Sequence, residues 1–166
     1  ASGLVGTFQI NGNISGWDVT NSDYAENGNG TWKYNGGSFA NADGTIALNG
    51  FQEAWLPTYS SLNNISSTQT IIDIPNGVYT VSANVIAQAS NKSNGAFFVA
   101  NDQKIPVATT NSEPKAYTVE LEVTDNVLSI GIVGDYTTAN WIAFDNVKLT
   151  YTGIPTDDIV YTMVQD

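Results

Sequence analysis

Thr70-Ile-Ile-Asp-Ile-Pro-Asn-Gly-Val-Tyr-Thr-Val-Ser-Ala-Asn-Val-Ile-Ala87 carries the clearest structural signal in this chain. From Val78 onward the side chains alternate. Tyr79, Val81, Ala83, Val85 and Ala87 fall on one side, and Thr80, Ser82 and Asn84 on the other. Successive side chains of a strand point to opposite faces, so this pattern predicts a strand with one face buried. Asn76-Gly77 is a strong turn signal. The run Thr70 to Ile74 is therefore expected as the preceding strand, closing a hairpin through Pro75-Asn76-Gly77.

The same reading extends in both directions. Tyr117 to Val123 alternates again, with Val119, Leu121 and Val123 inward. Thr124-Asp125-Asn126 then leads to Val127–Val133, which predicts a second hairpin. Shorter strands are expected at Phe97–Ala100 and Lys104–Val107, around Asn101-Asp102. Trp141–Tyr151 reads as the last strong strand. Earlier candidates are Gly6–Ile10, Trp17–Thr20 and Thr45–Leu48. No segment carries a helical period. Many short strands with turns every ten or so residues predict an all-β antiparallel β-sandwich. Residues 21–43, rich in Gly and Asn, read as one long loop carrying Trp32 and Tyr34.

Composition narrows the function. The 166 residues suit one domain. Charged residues are 13% and net charge is −11. The five basic side chains are Lys33, Lys92, Lys104, Lys115 and Lys148, with no Arg. Phosphate backbones need clustered Lys and Arg, so nucleic acid is excluded as a partner, and an anionic membrane surface on the same grounds. The chain has no His and no Cys. Ser-His and Cys-His nucleophile systems therefore cannot be built, and carboxylate chemistry or oxygen-ligand metals remain.

Three stretches resemble the galactose-binding-like carbohydrate-binding modules of bacterial polysaccharide-degrading enzymes. They are Phe8-Gln9 with Gly16-Trp17; Phe51-Gln-Glu-Ala-Trp55 with Thr68 to Thr80; and Asn140-Trp-Ile-Ala-Phe-Asp-Asn-Val-Lys-Leu149. The resemblance spans roughly residues 5–152. It implies a jelly-roll sandwich over residues 1–152, with 153–166 as a linker or the start of another module. It implies a structural Ca2+ tying the opening strand to the last one, at positions matching Gln9 and Asp145. Gln9 stands where the family often has an acid, which removes one formal charge. The resemblance further implies binding of a neutral polysaccharide or oligosaccharide, no catalysis by this chain, an attached glycoside hydrolase, and secretion or display at a bacterial cell surface.

Sugars present apolar C–H faces that stack on flat rings, and hydroxyls that pair with amides and carboxylates. Trp32 and Tyr34 are candidates for such stacking. The alternative for Trp32 is an anchor that folds the long loop back onto the sandwich. Trp55 and Tyr59, flanking Leu56-Pro57-Thr58, and Tyr136 in Gly134 to Asn140 are further candidate rings. Glu53 and Asn140 are candidate polar contacts. Glu120 and Glu122 share a strand face, as a glycosidase pair does, but that face reads as solvated. Asn41-Ala-Asp-Gly44 lacks the rest of a calcium loop, and Asn27-Gly-Asn-Gly30 reads as a plain turn. Asn13, Asn29, Asn64 and Asn91 stand in glycosylation sequons. The rival readings are a spacer or adhesin-like sandwich without a sugar site, and a small carboxylate-dependent glycosidase or lyase.

Overall fold

The alternating segment forms strand β5 (Gly77–Gln88), and its Tyr79, Val81, Ala83, Val85 and Ala87 are all buried. A computed structural model of the chain describes residues 16–153. Nine further strands surround β5: β1 (Asp18–Thr20), β2 (Lys33–Ala40), β3 (Ala47–Trp55), β4 (Asn63–Ile72), β6 (Ala96–Ala100), β7 (Gln103–Pro106), β8 (Lys115–Val123), β9 (Val127–Thr137) and β10 (Trp141–Gly153). The described residues contain no helix. The expected strand Gly6–Ile10, with Phe8 and Gln9, lies outside the described residues.

All pairings are antiparallel. One sheet has the order β1-β4-β9-β6-β7 and the other β2-β3-β10-β5-β8. The all-β sandwich predicted from the sequence is therefore present. The two long hairpins are not. β4 pairs with β1 and β9, and β5 with β8 and β10, so Pro75-Asn76-Gly77 crosses between sheets. Residues 124–126 likewise cross from β8 to β9. Only β2–β3 and β6–β7 connect neighbours within a sheet. Residues 21–43 are also not one loop, because β2 begins at Lys33.

The two inner faces bury one continuous core. At one end of it Phe144 of β10 stands between two indoles. Trp17 meets it edge-on at 5.4 Å between ring centroids, and Trp32 at 5.6 Å. Trp17 precedes β1 and Trp32 precedes β2, so this aromatic cluster fixes both stems of the 21–32 loop. Gly131 of β9 lets two backbones approach closely. A Cβ there would lie 2.1 Å from the carbonyl oxygen of Ser67 and 2.7 Å from the Thr68 Cα.

A smaller cluster lies on the outer face of the second sheet: Leu48, Phe51, Ile86, Trp141 and Ala143. The β2–β3 hairpin shifts register between Asn35 and Ser38 and bends across this face. Phe39 thereby reaches Phe51 at 5.7 Å and Trp141 at 5.1 Å. The Asn84 amide donates to the Ala47 carbonyl at 2.8 Å. The Asn49 N–H donates to Asp145 Oδ2 at 2.9 Å.

Phe144→Ala is expected to cost about 3–5 kcal/mol, as a buried Phe truncation does. That corresponds to a loss of roughly 10 °C in melting temperature, measured by differential scanning calorimetry.

Candidate functional site

Five connections gather at one end of the sandwich: residues 21–32, 56–62, 89–95, 107–114 and 138–140. They are tied to each other by backbone hydrogen bonds. The Leu56 N–H donates to the Asn140 carbonyl at 2.7 Å, and the Leu62 N–H to the Ala139 carbonyl at 2.8 Å. The Thr138 N–H donates to the Asn94 carbonyl at 2.8 Å.

An open cleft of about 600 Å³ lies between the first two of these loops. Tyr24, Glu26, Asn27 and Asn29 line it from the 21–32 loop. Leu56, Pro57, Ser60 and Ser61 line it from the 56–62 loop. Its size falls in the range of small-molecule sites. Tyr24 is 65% exposed. The lining thus sets a flat ring and apolar Leu and Pro surface beside two amides, two hydroxyls and one carboxylate.

The polar wall is held by the loop itself. Glu26 and Asn29 exchange both backbone hydrogen bonds, at 2.9 and 2.8 Å. Asn27 and Gly28 between them both have positive φ, 51° and 82°, the backbone of a tight two-residue reversal. Gly30 donates its N–H to the Trp55 carbonyl, which fastens the reversal to the end of β3. The Ser22 hydroxyl donates to the Leu62 carbonyl, and the Asn21 side chain accepts the Trp32 N–H at 2.9 Å. These bonds pre-form the wall.

A second, smaller hollow of about 150 Å³ adjoins the cleft and shares Ser60 and Ser61 with it. Tyr59, Ser90, Asn91 and Thr138 complete its lining. Tyr59 is 89% exposed and has φ 74°, a conformation disfavoured for a bulky side chain. Its N–H donates to Ser90 Oγ at 3.0 Å, which holds it there.

The candidates from the sequence separate on these facts. Trp32 is 3% exposed, so the stacking role expected for it is corrected to the anchor role. Asn140 is also buried, and its expected sugar contact is corrected. Its amide donates to Gln88 Oε1 at 3.3 Å, and its backbone supports Leu56 beneath the cleft. Glu53 lies outside the cleft. It accepts the Trp141 indole N–H at 3.1 Å and the Asn35 amide at 3.4 Å. Tyr34 is half-exposed on edge strand β2. Trp55 ends β3 opposite Trp141 and is 38% exposed, with only its carbonyl joined to the cleft wall. Tyr136 is 78% exposed with φ 60°, and its N–H donates to Asn64 Oδ1 at 3.3 Å. The Asn64 amide in turn donates to Asp23 beside Tyr24 at 3.2 Å. Tyr24 and Glu26 did not stand out in the sequence, and Asn27-Gly-Asn-Gly30 read only as a plain turn with Asn29 in a sequon. The available signal was an aromatic two residues before an acid and an Asn-Gly-Asn-Gly run.

Glu120 and Glu122 are exposed on the outward side of β8, with Val119, Leu121 and Val123 inward. Asp43 accepts the Thr45 hydroxyl at 2.6 Å and the Thr45 N–H at 3.0 Å, and these bonds lower its pKa. That is an ordinary turn.

Asp145 is buried under the bent hairpin. Burial pushes its carboxyl up, and the N–H groups of Asn49 and Asn146 oppose that shift. Among the described residues no three His, Cys, Asp or Glu side chains converge on a metal position. Gln9, the other expected calcium ligand, lies outside the described residues. A shell on Asp145 would be completed by oxygens such as backbone carbonyls, which calcium accepts.

No family model matches the sequence, and no curated protein matches it. Solved structures do match. A carbohydrate-binding module of family 61, solved with β-1,4-galactotriose, is 18% identical with a TM-score of 0.60, covering 82% of this chain and 89% of that one. A Stig cyclase from Fischerella sp. TAU is 15% identical with a TM-score of 0.58, covering 93% and 92%. The enzymatically active domain of tailspike protein 4 of bacteriophage CBA120 is 19% identical with a TM-score of 0.55, and the match covers 84% of this chain but 20% of that one. The chain therefore has the jelly-roll sandwich fold of carbohydrate-binding modules, a fold that also occurs in enzymes.

Trp32→Ala is expected to lower the melting temperature by roughly 10 °C as a core truncation. Tyr24→Ala, an exposed-site change, should move it by about 2 °C or less. Paired thermal melts of the two variants check this.

Proposed function

We propose that this chain is a non-catalytic carbohydrate-binding module whose site is the cleft between residues 21–32 and 56–62. The observation that carries the reading is the exposed Tyr24 ring beside the Leu56-Pro57 surface, with Asn27, Asn29, Glu26 and Ser60 around it. A pyranose stacks its C–H face on such a ring and turns its hydroxyls to the amides and the carboxylate. With net charge −11, a neutral glycan is favoured over an acidic one. The galactotriose bound by the family 61 module puts β-1,4-galactan first among candidates. A shallow open site of this kind binds at about micromolar to millimolar Kd.

In this reading the module is secreted or surface-displayed and holds an attached glycoside hydrolase near its substrate, raising effective concentration. Two facts support binding over catalysis. The cleft lining contains one carboxylate, Glu26, whereas glycosidases use two across the scissile bond. Glu120 and Glu122 both lie outside the cleft, Glu120 exposed on the strand face and Glu122 at a separate hollow of about 420 Å³ with Asp102 and Asp125.

Affinity gel electrophoresis tests the site against β-1,4-galactan, arabinogalactan, xyloglucan, mixed-linkage glucan, glucomannan and xylan. At least one glycan should retard the chain. Tyr24→Ala should weaken that interaction about tenfold, the effect of roughly 1.4 kcal/mol. Retardation by none of the six would discard the reading in favour of a spacer, and sugar products in the gel would favour an enzyme.

A structural calcium at Asp145 belongs to the same proposal. What supports it is a buried carboxylate at the bulge where β10 shifts register after Asp145 and Asn146 takes φ 57°. Millimolar Ca2+ should raise the melting temperature and EDTA should lower it, as linkage requires of a ligand that binds only the folded state. A melting temperature indifferent to both removes the ion.

A further inference from the structure

We infer that the glycan lies across the end of the sandwich as an extended chain, bound along its length from the Tyr24 cleft over Ser60-Ser61 to the Tyr59 hollow. This rests on the carbohydrate-binding reading and specifies its ligand: an internal run of a linear polysaccharide instead of a terminal sugar.

Four observations point there. The two hollows are contiguous, since Ser60 and Ser61 line both. Each has its own exposed tyrosine, Tyr24 in one and Tyr59 in the other. Neither is an enclosed cavity, and both open to solvent. The second hollow repeats the chemistry of the first, with hydroxyls from Ser90 and Thr138 and an amide from Asn91 beside the ring.

An exposed tyrosine alone is ordinary on a protein surface. Tyr59 is not ordinary in its backbone. Its left-handed φ of 74° is disfavoured for a bulky residue, and the Ser90 hydroxyl holds its N–H in that geometry. Strained backbone of this sort persists where the surroundings over-determine it, and it clusters at ligand sites. The ring is almost wholly exposed, so its placement adds little to the core. A second stacking platform one ridge away from the first accounts for both facts. Two weak platforms joined by one ligand act as linked sites, so affinity must grow with ligand length until both are filled.

The experiment is isothermal titration calorimetry with a ladder of two to six sugar units, prepared from whichever glycan of the electrophoresis panel retards the chain. Each oligosaccharide is also tested after borohydride reduction of its reducing end. Affinity is expected to rise about tenfold or more between two units and five, then level off. Reduction should leave it unchanged. Tyr59→Ala should remove that rise, weakening five- and six-unit ligands about tenfold relative to the two-unit one. Tyr24→Ala should weaken every length. Thermal melting of both variants confirms that they are folded.

An affinity that is flat with length, a Tyr59→Ala effect equal at all lengths or absent, or loss of binding on reduction would overturn the extended path. In each of those cases wild-type retardation would leave the carbohydrate-binding reading standing. Failure of every glycan to retard the wild-type chain would instead remove the parent reading itself.

Discussion

Phe144, wedged between Trp17 and Trp32, is the contact on which the working end of this sandwich depends. Edge-to-face ring packing is directional, so it fixes orientation as well as burying area. Phe144 belongs to β10, a central strand that pairs with both β3 and β5. The two indoles stand at the stems of the 21–32 loop. That loop therefore springs from a rigid base, and its residues 21–31 are left to carry polar groups. The same arrangement explains why the ring the sequence offered most plainly, Trp32, is the wrong one to expose. It holds the wall on which the exposed ring, Tyr24, is carried.

The bent β2–β3 hairpin has a parallel role on the opposite side of the sheet. By lying over β10 and β5 it covers Leu48, Phe51, Ile86 and Trp141, which would otherwise form an apolar outer surface. Glu53 belongs to this arrangement. It accepts the indole N–H of Trp141 and the amide of Asn35, so its carboxylate orders the face. Asp145 is enclosed by the same hairpin through the Asn49 N–H. The hairpin thus orders both acids; its first strand, β2, falls in the stretch 21–43 read from the sequence as one loop, whereas Thr45–Leu48 at the start of the second was a candidate strand.

Strand identity was legible wherever one face is apolar and the other polar, as in β5 and β8. Sheet membership was not. A period of two says which side chains point inward, and Asn-Gly says where the chain turns; neither says whether the next strand joins the same sheet or the facing one. Pro75-Asn76-Gly77 makes a crossing because β10 already occupies one side of β5 and β8 the other. The first part of β4, Asn63-Asn64-Ile65-Ser66-Ser67-Thr68, is too polar to announce itself, and β2 likewise. For the site, Tyr59 and Tyr136 were legible as loop aromatics with Asn, Ser and Thr nearby. Asn27-Gly28-Asn29-Gly30 was not, because the composition of a flexible turn and that of a rigid left-handed reversal are the same. What separates them is the bond from Gly30 to Trp55, a contact across twenty-five positions that no local window contains.

Strand direction has a consequence for how the molecule is mounted. β10 starts beside the cleft at Trp141, next to Trp55 and Gln88, and finishes at Gly153 against Val78. Its two ends are thus at opposite poles. At Gly153 the strand delivers the chain to the pole remote from Tyr24 and Tyr59. A cargo or a sensor surface joined at Gly153 itself pulls from behind, with the pole that carries Tyr24 and Tyr59 pointing forward.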